Sequence, residues 1–113
     1  MNLLIEMIVE IAADGLRPDV SDATRQMYAK QLESAFDKVS ALWTLLLEDQ
    51  LVSMSDPNFP SEDYFSGKLS GLSSFARMAI GLEDRMSYSD AEILKNVHHY
   101  ATLVNSIVGG VKQ

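Results

Sequence analysis

Two adjacent histidines, His98 and His99, are the side chains of this sequence best suited to metal binding or acid–base catalysis. Neighbouring residues of a helix point about 100° apart, so this pair cannot hold one metal ion as residues four apart can. Neither histidine has a carboxylate three or four positions away along the chain. We therefore expect both side chains on a solvated helix face, and we predict no catalytic residue, no metal ligand and no cofactor.

Consecutive acidic residues are the second feature that could carry a function. Glu48 and Asp49 fall near one predicted helix C-terminus, and Glu83 and Asp84 fall near another. The helix dipole disfavours an acid there by about 0.3 to 1 kcal/mol, so these four residues need another explanation. Solubility is one explanation. The other is an acidic face, made of Glu48, Asp49, Glu83 and Asp84, that binds a basic protein surface.

The charge balance restricts the class of partner. The formal net charge is −7, with a pI near 4.6, and the nine Lys and Arg residues are scattered singly along the chain. Such a molecule repels phosphate backbones and anionic lipid, which argues against nucleic-acid and membrane partners and favours a protein with a basic surface. The sequence has no cysteine and no run long enough to cross a membrane, so we expect a soluble cytoplasmic protein.

The first predicted helix, residues 2–14, ends at Gly15. Its polar residues recur every four positions: Asn2, Glu6, Glu10 and Asp14. Apolar residues then cover about two thirds of the circumference, more than the stripe of about 100° that a surface helix needs. This helix must lie centrally or meet a second subunit. In a homodimer, the interface would contain Leu4, Ile8 and Ile11.

A long second helix is predicted from about residue 22 to residue 52, with Ser21 as its N-cap. Its apolar residues recur at spacings of four and three: Tyr28, Leu32, Ala35, Val39, Leu42 and Leu46. Neither Gly nor Pro interrupts the pattern before Pro57. We expect this helix to be the long central element of the fold.

Two further helices follow a predicted loop at residues 53–60. Ser61 caps the third helix, whose glycine-containing stretch 65–75 is either irregular or closely packed. A capping box, with Ser89 three residues before Glu92, starts the fourth. The sequence thus predicts a single all-α domain over residues 1–113, a compact bundle of about four helices without a sheet.

Two short resemblances provide alternatives to a pure binding function. The segment Lys95–Tyr100, KNVHHY, resembles the terminal motif of HEPN-type helical ribonucleases, in which an Arg precedes a catalytic His and a Tyr often follows. Here the basic residue is Lys95, closer to the histidines than the Arg of that family. The resemblance implies a helical ribonuclease.

The order of Ser21, Thr24, Tyr28 and Phe59-Pro60-Ser61 is similar to that in phage-type replicative helicase loaders. Those proteins begin with a short apolar helix, continue through a Ser-x-x-Thr start into a long helix, and reach another helix through a Phe-Pro step. The resemblance covers about half of the chain. It implies a loader-like factor.

The functional hypothesis that unites size, acidity and lack of catalytic groups is a helical protein that binds a protein partner without catalysis. Inhibitors, immunity proteins, antitoxins and phage or plasmid accessory factors are of this kind. The first alternative is a self-assembling homodimeric module that is structural or regulatory. The loader-like factor and the HEPN-like ribonuclease are the other two.

Overall fold

The computed structural model of the protein describes residues 2–48 and 62–109. These two stretches contain four α-helices: α1 (Asn2–Gly15), α2 (Asp22–Glu48), α3 (Glu62–Ala79) and α4 (Asp90–Gly109). No strand occurs in either stretch, and the predicted all-α bundle of four helices is confirmed. The predicted loop at 53–60 and the predicted end of the long helix, 49–52, lie outside the described residues.

Side-chain caps begin α2 and α4 where the sequence predicts them. The Ser21 hydroxyl accepts a hydrogen bond from the Thr24 backbone N–H at 3.1 Å. In the capping box, Glu92 donates its N–H to the Ser89 hydroxyl and Ser89 donates its N–H to the Glu92 carboxylate, both at 3.2 Å. Each cap satisfies backbone donors that a helix N-terminus otherwise leaves without partners.

The end of α3 is set by a Schellman motif centred on Gly81, which has a φ of 82°. The Leu82 N–H donates to the Arg77 carbonyl at 2.9 Å, and the Gly81 N–H donates to the Met78 carbonyl at 3.2 Å. Gly81 terminates α3 because a glycine adopts this left-handed conformation without steric cost.

The first helix, α1, contacts each of the other three helices. Its buried side chains are 0 to 4% exposed: Ile5, Ile8, Ile11 and Ala12. The longest helix, α2, packs chiefly on α1 and only marginally on α3, and within the described residues its backbone does not come close to that of α4. Of the two predicted roles for the over-apolar α1, central packing is therefore the one that the fold realises, and α1 occupies the centre that we expected α2 to take.

Residues 65–75 form regular helix, and the tightness of the α3–α4 contact explains the glycine in the middle of this stretch. A methyl group added to Gly71 would lie 2.6 Å from the Tyr100 ring. That ring also stacks on Phe75, with centroids 5.8 Å apart. The closely packed alternative is thus confirmed at Gly71.

At the other end of α3, the Trp43 and Phe65 rings stack with centroids 4.1 Å apart and tie α2 to α3. Both side chains are buried. Within the described residues, no helix is both long and apolar enough to span a membrane.

Candidate functional site

Two members of the predicted acidic face, Glu83 and Asp84, follow the end of α3 and interact with their own chain. The Glu83 carboxylate lies 3.7 Å from the guanidinium of Arg77, across an exposed ion pair. An Asp84 carboxylate oxygen accepts a hydrogen bond from the Met86 N–H at 2.9 Å, which helps to fold the loop between α3 and α4. Local structure therefore accounts for both acids.

The other two members, Glu48 and Asp49, are not placed by the structure. Glu48 is the last residue of α2, its side chain is not described, and Asp49 lies outside the described residues. A single face that joins all four acids remains a prediction.

The residues predicted for a dimer interface lie within the single chain. Ile8 is 0% exposed and Ile11 is 4% exposed, while Leu4 is partly buried against the same core. Ile8 and Ile11 are already enclosed by the other helices, so they have no surface to offer a second subunit in this fold. Of the three residues, only the partly buried Leu4 has surface left for a homodimer.

The outward face of α1 carries a row of three exposed carboxylates that the sequence pattern did not single out as a site. Glu6, Glu10 and Asp14 are four residues apart, so they rise about 6 Å from one to the next along the helix. None of them takes part in the three ion pairs formed among the described residues. We refer to Glu6, Glu10 and Asp14 as the α1 acidic ridge.

The α1 acidic ridge is exposed because of how α1 is packed. The other three helices cover the face of α1 that carries Ile5, Ile8 and Ile11, whereas the ridge is open to solvent. No Lys or Arg lies within four positions of Glu6 or Glu10. Arg17 lies three residues after Asp14, but its guanidinium pairs with Asp19 at 3.3 Å. The ridge thus has no ion-pair partner among the described residues.

The sequence contained a signal for this ridge. Two acids four residues apart on a helix, with no base nearby, destabilise it by about 0.2 to 0.5 kcal/mol per pair. A destabilising pattern of this kind suggests that the acids have a function. The sequence reading used the spacing only to orient the helix. A search for unpaired charge along each exposed stripe would have found the ridge.

Both histidines lie on the exposed side of α4, as predicted. The carbonyl of His98 accepts a hydrogen bond from the Thr102 hydroxyl at 2.8 Å, and the His99 ring meets the edge of Tyr100. Among the described residues, no group of three His, Cys, Asp or Glu side chains is arranged to hold a metal ion.

Comparison of the chain with protein-family models, with curated proteins and with solved structures finds no match. An inference about function therefore rests on the physical properties of the surface.

Proposed function

We propose that this protein acts by binding a protein partner that has a basic surface, without catalysis of its own. The observation that carries the proposal is the α1 acidic ridge, three exposed carboxylates in a row that no base of the described chain neutralises. An inhibitor, an immunity protein, an antitoxin or a phage or plasmid accessory factor in the cytoplasm would work in this way. We assign the binding to the ridge and no longer to Glu83 and Asp84, because those two acids have partners within the chain.

The rigidity of α1 supports a binding role for its outer face. The buried residues Ile5, Ile8 and Ile11 fix the rotation of the helix, so the three carboxylates are held in line before any partner arrives. A binding surface that is already in place loses less conformational entropy on association. A basic helix or strand with cations at about 6 Å spacing would match the row.

The charges of the ridge contribute differently to the affinity for a partner and to the rate of association. A single exposed ion pair contributes about 0.2 to 1 kcal/mol, so three pairs raise affinity only moderately. Complementary charge contributes more to the association rate and to the choice of partner. With a net charge of −7, the field of the whole molecule steers a basic partner from a distance.

Capture from an extract of the native cell, followed by mass spectrometry, tests the proposal. The ridge variant carries Glu6→Lys and Glu10→Lys. The matched control carries Asp37→Lys and Asp63→Lys, two exposed acids elsewhere, and has the same net charge. Circular dichroism first establishes that both variants keep their helicity.

We expect wild type and control to capture the same basic protein and the ridge variant to lose it. Equal capture by all three would refute the ridge as the site. Loss with both variants would show that only net charge matters, which also contradicts a specific ridge. Recovery of no basic protein by wild type would contradict the proposed function itself.

A further inference from the structure

The outer face of α1 carries an exposed leucine as well as the acidic ridge. Leu3 is 80% exposed, more than any other large apolar side chain of the described residues. At about 100° per residue, Leu3 lies on the same side of the helix as Glu6, Glu10 and Asp14, within an arc of about 80°. We refer to Leu3 and the α1 acidic ridge together as the α1 outer row.

Partly buried apolar residues border the α1 outer row. Met7 lies on one side of the row, and Val9 and Ala13 lie on the other. Together with Leu3, they give this face apolar surface that a partner can cover. Ion pairs with exposed carboxylates raise affinity only moderately, whereas burial of apolar surface is the main favourable contribution to association. The carboxylates therefore select a basic partner, and the apolar side chains add to its affinity.

The spacing of the row distinguishes a helix from a strand as the element that covers it. Its four members lie three, four and four residues apart along α1, so the row is about 16.5 Å long. A helix with side chains at the same spacing repeats each rise along the row. A strand places a residue on one face about every 6.6 Å, so its fourth residue lies about 20 Å from its first. The strand overshoots the row by about 3 Å, and only the helix matches all four positions.

We propose that the α1 outer row binds an amphipathic helix of the basic partner. An apolar side chain of that helix lies on Leu3, and three of its Lys or Arg side chains pair with the ridge carboxylates. This docking presupposes the function proposed above, and it adds an apolar anchor and the secondary structure of the bound element. Charge complementarity selects the partner, because no base of the described residues pairs with the ridge. Two copies of the row would repel each other.

Leu3→Ser tests the apolar anchor without changing the charge of the ridge. The matched control is Leu82→Ser, because Leu82 is also an exposed leucine, at 54%, and lies after the end of α3. Circular dichroism first establishes that both variants keep their helicity. Calorimetry then measures the Kd of each for the basic protein captured by wild type, at about 0.05 M and about 0.5 M salt.

We expect Leu3→Ser to raise the Kd at least about tenfold at both salt concentrations, because salt does not screen an apolar contact, and Leu82→Ser to leave it unchanged. An unchanged Kd for Leu3→Ser would overturn the anchor and leave the proposed function in place. A loss confined to low salt, or equal losses for the two variants, would also overturn it. Recovery of no basic protein by wild type would instead refute the proposed function itself.

Hydrogen exchange of the captured partner tests the helix. Binding should slow exchange in one segment of about 12 residues, in which Lys or Arg recurs every three or four positions. A synthetic peptide of that segment, cross-linked to hold it helical, should bind more tightly than the unlinked peptide, because less conformational entropy is lost. Cations at every second position of the protected segment, or a cross-link that fails to lower the Kd, would overturn the helix.

Discussion

The two faces of α1 differ in chemistry: the inner face is apolar and buried, and the outer face is acidic and exposed. The inner face, with Ile5, Ile8 and Ile11, is enclosed by three helices and holds the bundle together. The outer face presents Glu6 and Glu10 to solvent without an ion-pair partner among the described residues. A packed face carries stability, and an open face is free to carry function. Substitutions in matched positions test that division.

The largest effect is expected at the centre of the inner face. Ile8→Ala removes three carbons from a side chain that is 0% exposed, and the resulting cavity should lower the free energy of unfolding by about 2 to 5 kcal/mol. The outward control, Glu10→Ala, should change it by less than about 0.5 kcal/mol. Urea denaturation measures both. Equal losses would show that the two faces do not differ as described.

Two glycines of α3 provide the same contrast within one helix. A methyl group at Gly71 meets the Tyr100 ring, so Gly71→Ala should cost about 1 to 3 kcal/mol in overpacking, which exceeds the helical gain of about 1 kcal/mol. Apart from the nearby backbone of α3 itself, no atom of the described residues lies within 4 Å of a methyl group at Gly67, so Gly67→Ala should show the gain alone. In thermal unfolding, the Tm should therefore fall for Gly71→Ala and rise for Gly67→Ala. A rise in Tm for both variants would contradict the close α3–α4 contact.

Removal of the cap of α4 should lower the free energy of unfolding by an intermediate amount. Ser89→Ala removes the hydroxyl that accepts the Glu92 N–H, and we expect a loss of about 1 kcal/mol. Ser89→Asp restores an acceptor at the cap and should recover most of the loss in denaturant unfolding. Failure of Ser89→Asp to recover stability would show that the hydroxyl matters for another reason.

The smallest effect on stability is expected on the ridge. Glu6→Gln and Glu10→Gln together relieve repulsion between acids four apart, which should stabilise the fold by about 0.2 to 0.5 kcal/mol at low salt and by less at high salt. Unfolding followed at both salt concentrations measures this change. A marked destabilisation would mean that the ridge has a structural role.

Much of the fold is predictable from the sequence because local chemistry determines it. The caps at Ser21 and Ser89 and the apolar period of each helix fix four elements, and all four occur in the structure. The relative positions of the helices are a tertiary property. Helix length suggested that α2 would be central, whereas α1 has the wider apolar surface and contacts every other helix.

The candidate sites were harder to predict than the helices. Glu83 and Asp84 stood out as a pair in the sequence, yet their partners, Arg77 and the Met86 N–H, depend on where α3 ends. Ile8 was assigned to an interface because periodicity identifies an apolar face without saying what covers it.

The affinity of the captured partner for wild type, ridge variant and control, measured at about 0.05 M and about 0.5 M salt, tests the central claim most directly. We predict that wild type and control bind alike and weaken as salt rises. The ridge variant, with Glu6→Lys and Glu10→Lys, should bind at least about tenfold more weakly at low salt and show a smaller dependence on salt. Equal affinities and equal salt dependence for the three proteins would contradict the claim that the α1 acidic ridge is the binding surface.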